Sequence, residues 1–268
     1  MMIDCTNNLL KWLSAFSYRI HKSYTTLEQE ITYALHCIVK YYRNVRLKNV
    51  ALELIRHMYA LVHSIQSSDC LRLRNIANNQ ISMRSTYSLN TDLASSRLKL
   101  ASILHCGGHL HAAKRVLEDV QRRYHSRVKA VCVCRRIEGG RDLQVFANMH
   151  SGNRDNVISE SPFAFCVRFL RKESYCIPSI LLFEMNRNAT EEEVAQRTYL
   201  EKTWMDSAEI DACPFLYYLQ YLTYGGLGQR DKQLYALGVL ESYMSDIKNV
   251  NLYHPETALN LLGHCFEM

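Results

Sequence analysis

The chain contains few residues that break helices: its 268 residues include only four prolines and ten glycines, which favours long helices. It has no apolar run of about 18 residues, which a membrane-spanning helix would need, and none of its ten cysteines form a Cys-x-x-Cys pair. The first segment carries Asp4 and has no apolar core before Leu9, so we expect no secretory signal there. We therefore expect a helical cytoplasmic protein with reduced thiols, no metal and no membrane span.

Charge is distributed unevenly along the chain. Residues 1–150 carry 22 Lys and Arg against 10 Asp and Glu, whereas residues 151–268 carry 10 against 16. Such asymmetry indicates either two different partners or two faces that attract each other.

The stretch 91–124 predicts two helices joined by a tight turn. Apolar residues recur at helical spacing on both sides of Gly107-Gly108, and either glycine can take the left-handed conformation that ends a helix. The small residues Ala101 and Ala113 let two antiparallel helices approach closely. The pattern resembles one tetratricopeptide repeat, a helical hairpin of about 34 residues, although its early aromatic residue and closing proline are missing. The matching positions are Leu100, Ala101, Leu104, Gly108, Leu110, Ala113, Leu117 and Val120.

The remaining segments divide the chain into four parts. Residues 1–67 predict a bundle of three amphipathic helices, over 7–21, from Thr25 to about 45, and over 49–66, followed by a flexible connection over 67–91. The central hairpin is assigned to 91–138 and a polar loop or linker to 139–161. Residues 162–268 predict further helical hairpins.

Prolines, a capping residue and apolar patterns predict where helices lie in residues 162–268. FAFCVRFLRK, residues 163–172, predicts a short amphipathic helix, and Pro178 opens the next. Thr190, followed by three acids, is a helix cap, and that helix is predicted to run to about 205. Leu262-Gly263 and Phe266 repeat the pattern of the central hairpin's first helix, and the chain stops before a second helix. We therefore expect a truncated last repeat and a fragment of a longer product.

VKAVCVCR, residues 128–135, is a strand-like run in a chain that otherwise predicts an all-α fold of antiparallel helical hairpins. A continued helix is the alternative for this run.

Motifs for catalysis and for metals are weak. His105, Cys106 and His109, perhaps with Cys132 and Cys134, suggest a metal site, but no spacing reproduces a closed four-ligand zinc site. Neither glycine cluster, 139–140 or 225–228, carries the lysine of a phosphate loop. The acidic pair Glu209 and Asp211 could in principle hold magnesium, as could two similar pairs. Acids are expected at helix starts in any case.

The basic segment 114–141 supplies the alternative of nucleic-acid contact. It holds nine Lys and Arg against three acids, although a solvated helix face explains most charge runs. The candidate contacts are Arg115, Arg122, Arg123, Arg127 and Lys129.

Three stretches suggest a family. ASSRLKLASILHCGGHLHAAKRVLEDV, CIPSILLFEMNR and HPETALNLLGHCFEM, in this order and spacing, resemble the helical C-terminal region of some invertebrate, notably molluscan, proteins with a Mab-twenty-one-like nucleotidyltransferase domain, which are related to cGAS-like receptors. The resemblance covers about residue 33 to the end. The family's catalytic part implies nucleic-acid sensing and cyclic dinucleotide synthesis. Its Gly-Ser motif, paired acids and cysteine-rich zinc insertion are missing here, so no catalytic residue carries over.

We expect a non-catalytic helical scaffold that binds a protein partner or the N-terminal domain of its own longer chain. Arg97, His105 and Asn260 are the expected exposed partner-binding residues. The alternatives are an accessory nucleic-acid-binding segment of a cGAS-like receptor and an enzyme with a metal or nucleotide site.

Overall fold

The computed structural model describes residues 24–41, 45–72, 93–125, 128–132, 163–186, 190–197, 205–245 and 252–268. This part of the chain is mostly α-helical, with short strands, and none of its helices combines the length and apolarity needed to cross a membrane. The helices are α1 (Tyr24–Tyr41), α2 (Val45–Arg72), α3 (Ser95–Cys106), α4 (Leu110–Arg123), a 3-10 helix (Arg171–Cys176), α5 (Ser179–Asn186), α6 (Glu191–Gln196), α7 (Ala212–Gly226), α8 (Arg230–Ser245) and α9 (Pro255–Glu267). The strands are β1 (Lys129–Val131), β2 (Phe163–Phe165), β3 (Val167–Leu170) and β4 (Ser207–Ile210).

Two hairpins, α3–α4 and α7–α8, turn in the same way. Gly108 and Gly228 both have positive φ, at 77° and 67°, which confirms the predicted left-handed glycine at the first turn. In each turn a backbone N–H reaches back five residues: His109 to the Leu104 carbonyl at 2.8 Å, and Gln229 to the Tyr224 carbonyl at 2.9 Å. This is the bond pattern that ends a helix at a left-handed glycine.

The two hairpins pack against each other. Between them, His105 Nδ1 lies 3.1 Å from Thr223 Oγ1, and the Gln220 amide donates to Gln121 Oε1 at 2.8 Å. Ala101 and Ala113, whose small size is expected to let two helices approach closely, are both fully buried. The hairpins share one apolar core with α5, α9 and strands β2, β3 and β4.

The predicted helix over 163–172 is wrong. These residues form β2 and β3 and then enter the 3-10 helix. Phe163 and Phe165 are both buried, and an apolar run buried on both faces has no periodicity that separates strand from helix. The strand form depends on distant partners: β2 pairs in parallel with β1, and β3 pairs antiparallel with β4. The strand-like run over 128–135 does contain β1; residues 133–135 lie outside the described part.

Helix starts with local capping signals are placed as predicted. Thr190 Oγ1 accepts the Glu193 N–H at 3.2 Å, and the Glu193 carboxylate accepts the Thr190 N–H at 2.9 Å. Pro178 directly precedes α5, as predicted. α6 ends at Gln196 because Arg197 takes an extended backbone conformation, so the predicted unbroken helix to about 205 is wrong. Residues 198–204 lie outside the described part.

The structure describes only part of the N-terminal region for which three helices are predicted. α1 and α2 contact each other, while the predicted first helix over 7–21 lies outside the described residues. α2 is longer than predicted and continues to Arg72, so residues 67–72 are helical rather than a flexible connection. Ser68 gives one reason, since its hydroxyl accepts the Tyr175 N–H at 3.3 Å and ties α2 to the 3-10 helix. The predicted linker over 139–161 lies outside the described residues.

Candidate functional site

The three expected partner-binding residues lie in different environments. Arg97 is 8% exposed, which contradicts the expected exposure; its guanidinium pairs with Asp119 at 3.5 Å. His105 is half-buried between the hairpins, and burial there lowers its pKa. Asn260 is exposed on α9 and its side chain donates to the Glu184 carboxylate of α5. These residues therefore do not form one surface.

The candidate nucleic-acid-binding residues in and after α4 also lie in different environments. Arg115 and Arg122 are exposed and line a surface depression of about 450 Å³ together with Glu118 and Gln121. Arg122 also contacts an acid of its own helix, and Arg123 does the same at 2.8 Å. The side chains of Arg127 and Lys129 lie outside the described part.

One face of α9 leaves large apolar side chains in solvent. Leu259 is 48% and Phe266 61% exposed, and Leu262 between them is partly exposed. Their spacing of three and four residues places them on one side of the helix. We call Leu259, Leu262 and Phe266 the α9 stripe. The neighbouring side of α9, which includes Ala258, Leu261 and Cys265, is buried in the core.

The β-pairs bring two thiols together. Val131 pairs with Phe165 in the parallel β1–β2 pair, so Cys132 and Cys166 follow at the same edge. The Cys166 N–H donates to the Val131 carbonyl at 2.9 Å, which continues the pairing by one residue. Both cysteines are 3% exposed.

A carboxylate joins the thiols through the second β-pair. Val167 pairs with Ile210 in the antiparallel β3–β4 pair, so Cys166 and Asp211 lie side by side just outside it. The Cys166 thiol donates to Asp211 Oδ1 over 3.7 Å. Asp211 is 1% exposed.

An imidazole completes the group. The Asp211 carboxylate accepts the backbone N–H groups of Tyr253 at 3.1 Å and His254 at 2.8 Å, which fixes the segment before α9. His254 Nε2 then lies 3.4 Å from Cys132 Sγ and 3.7 Å from Glu209 Oε2. We call Cys132, Cys166, Asp211 and His254 the thiol–imidazole cluster.

Burial and the neighbouring polar groups shift the pKa values of His254 and Asp211 in opposite directions. Burial lowers the pKa of His254, but the Cys132 thiol and the Glu209 and Asp211 carboxylates outweigh burial, so the pKa is raised overall. Burial raises the pKa of Asp211, and the two backbone N–H groups only partly oppose this.

The sequence alone pointed to two of these four residues, each in a different group, and did not single out Cys166 or His254. Cys132 was considered with His105, Cys106 and His109, and Asp211 as half of an acidic pair with Glu209. Among the described residues, the Cys, His, Asp and Glu side chains placed to share a metal ion are instead Cys132, Cys166 and His254. The available signal was a strand-like run that carries cysteines, but its pairing partners are distant in sequence.

No family model matches the chain, and neither a curated protein nor a solved structure matches it. The resemblance to Mab-twenty-one-like proteins therefore remains a hypothesis.

Proposed function

We propose that this chain is a non-catalytic helical scaffold and that the α9 stripe binds an amphipathic helix of a protein partner. The observation that carries the proposal is the exposure of Leu259 and Phe266 on a helix whose neighbouring side is packed into the core. Exposed apolar side chains that share one face of an element mark interaction surfaces more often than isolated ones do.

The repeated geometry of the hairpins supports a helical occupant. We propose a tetratricopeptide-like series in which α3–α4, α7–α8 and α9 are successive units. In the first unit, Leu100 is 8% exposed, and Leu104 and Val116 pack against the same apolar cluster. Leu262 and Phe266 match Leu100 and Leu104 in sequence. A helix lying along α9, as α4 lies along α3, would cover them.

The chemistry of the stripe defines the partner segment. A helix that fits it carries apolar residues at i, i+3 or i+4, and i+7, the spacing used when helices bind in apolar grooves. Glu256 and Glu267 are exposed on the same helix, which favours Lys or Arg at the edge of the partner segment. The segment can belong to another protein or to a longer form of this chain.

The state of the cysteines supports a reducing compartment for this scaffold. The eight cysteines of the described part are thiols without disulfide bonds, which is usual in the cytosol.

Site-specific photo-crosslinking tests the proposal. A photoreactive phenylalanine analogue replaces Phe266 in cells, and the matched control replaces Tyr235 on α8, which is 60% exposed against 61% for Phe266. We expect one recurrent adduct from position 266, located in a helical segment and missing from position 235. The adduct should also disappear when Leu259→Asp is combined with the probe. Adducts spread over many proteins, or equal at both positions, would contradict the proposal.

Arg115 and Arg122 favour a second candidate function, nucleic-acid contact, because they are exposed around the same depression. If they contact phosphates, binding of short RNA or DNA duplexes falls steeply with salt, and Arg115→Glu/Arg122→Glu flattens that dependence by about one unit of slope per lost contact. Arg230→Glu on α8 is the control. A folded chain without binding at low salt removes this candidate.

A further inference from the structure

Three side chains with metal-binding atoms converge beside the start of α9, and the Asp211 carboxylate lies next to one of them. The two thiols of Cys132 and Cys166 and the imidazole of His254 offer ligand atoms that all lie within 4.8 Å of one another. The ligands come from the ends of β1, β2 and β4 and from the segment before α9. Both cysteines are buried, so these thiols are held in place rather than placed to react with solutes.

The distances fit a tetrahedral metal. Bonds of about 2.3 Å to sulfur and about 2.0–2.2 Å to nitrogen or oxygen place neighbouring zinc ligands about 3.6 Å apart. Cys132 Sγ lies 3.4 Å from His254 Nε2, and Cys166 Sγ lies 3.7 Å from Asp211 Oδ1. The two thiols and the imidazole already lie within 4.8 Å of one another. Asp211 touches this group through Cys166 and would have to move closer to the other two ligands to share the ion.

We propose that the thiol–imidazole cluster is a structural zinc site, with Cys132, Cys166, His254 and Asp211 as its ligands. Two thiolates with an imidazole select zinc over hard cations such as magnesium or calcium. On binding, each thiol releases its proton to solvent and coordinates as a thiolate, and His254 coordinates through neutral Nε2.

Asp211 is a better fourth ligand than Glu209, the other nearby carboxylate. Glu209 lies 3.1 Å from the guanidinium of Arg168, so its charge is already paired with a cation. Asp211 is instead held by two backbone N–H groups and by the Cys166 thiol, which donates to Oδ1. When that thiol loses its proton on metal binding, a lone pair of Oδ1 becomes available to the ion. Four protein ligands close the site and leave no open position for a substrate, which is the arrangement of structural zinc.

The position of the site would let a bound ion hold three parts of the fold together. His254 directly precedes α9, while the other ligands directly follow strands. Zinc would fasten the start of the helix to the two β-pairs. Because the native chain would bind the ion and the unfolded chain would not hold the same geometry, metal removal lowers thermal stability.

The test measures metal content and affinity in the full chain. The chain is purified without chelators, its metals are quantified, and the chelator-treated protein is titrated with Zn²⁺ and with Co²⁺ as the spectroscopic probe. We expect about one zinc per chain and thiolate-to-cobalt absorption bands. Cys132→Ser, Cys166→Ser and His254→Gln should lose the ion, and Asp211→Asn should weaken binding at least 10-fold.

Cys265→Ser is the matched control, because Cys265 is 3% exposed like the two ligand cysteines and lies on α9 away from the cluster. This variant should still bind zinc, and chelator should still lower its thermal midpoint. Cys132→Ser should bind no zinc, and chelator should not change its thermal midpoint. A folded chain that binds neither ion, a Cys132–Cys166 disulfide found by mass spectrometry, or copper as the bound metal would overturn the proposal.

Discussion

Lys99 Nζ lies 2.6 Å from Glu173 Oε1, and this ion pair between α3 and the 3-10 helix is buried at both ends. The second carboxylate oxygen of Glu173 accepts the Leu170 N–H at 2.8 Å, and the ammonium also lies 4.6 Å from the centre of the Phe169 ring. The pair therefore joins a hairpin helix to the end of β3.

Removing one member of this pair leaves a buried charge without its partner. We expect Glu173→Gln and Lys99→Met each to lower the free energy of unfolding by about 3–5 kcal/mol. The double variant should lose less than the sum of the two. Urea denaturation followed by circular dichroism measures this. Asp206→Asn is the control, because Asp206 pairs with Arg171 at 3.3 Å in solvent and should cost about 1 kcal/mol or less. Equal losses for Glu173→Gln and Asp206→Asn would contradict the assignment.

The turn of the first hairpin depends on a backbone conformation that side chains avoid. Gly108 has a φ of 77° and open space around its Cα, so Gly108→Ala meets backbone strain without a clash and should cost about 1–2 kcal/mol. Gly238, inside α8, also has open space, and Gly238→Ala should stabilise the chain by up to about 1 kcal/mol because alanine favours helix. The two thermal midpoints should shift in opposite directions; shifts of the same sign would argue against this turn.

His105 should make the contact between the hairpins sensitive to acid. Burial lowers its pKa from the usual value of 6.5, so the unfolded chain gains a proton at higher pH than the folded one. The stability that neutral His105 contributes is present above pH 6.5 and is lost as the pH falls towards the lower folded pKa. The thermal midpoint of the wild type should therefore fall more between pH 7 and pH 5 than that of His105→Gln. Parallel curves would contradict this.

Two leucines of α9 have different expected roles, one in stabilising the fold and one in binding a partner. Leu261 is fully buried, whereas Leu259 is 48% exposed in the α9 stripe. We expect Leu261→Ala to cost about 2–5 kcal/mol of stability and Leu259→Ala to cost about 1 kcal/mol or less. Urea denaturation of both variants measures the difference. A large loss for Leu259→Ala would mean that the stripe supports the fold itself.

Features decided by neighbours in sequence could be predicted. The Thr190 cap needs only Glu193, three residues away, and the Gly108 turn needs only a glycine between two periodic apolar segments. The burial of Ala101 and Ala113 follows from small residues at positions where two adjacent helices meet.

Features that depend on contacts between residues far apart in sequence could not be predicted. Cys132 and His254 are 122 residues apart. The two β-pairs, together with the hydrogen bonds from the Tyr253 and His254 N–H groups to Asp211, bring their side chains together. Within the run over 163–172, β2 and β3 form because β1 and β4 are available to pair with them. Arg97, which was expected to be exposed, is buried, and its guanidinium pairs with Asp119 on α4, 22 residues along the chain.

The measurement that tests the central claim most directly is the dissociation constant of the partner found by crosslinking, for the wild-type chain, Phe266→Ser and Tyr235→Ser. A central aromatic side chain contributes about 2 kcal/mol or more to binding, so Phe266→Ser should weaken binding by about 30-fold or more. Tyr235→Ser, which removes an equally exposed ring from α8, should leave the constant unchanged. Equal effects of the two variants, or none from Phe266→Ser in a folded chain, would contradict the proposal that the α9 stripe is the binding surface.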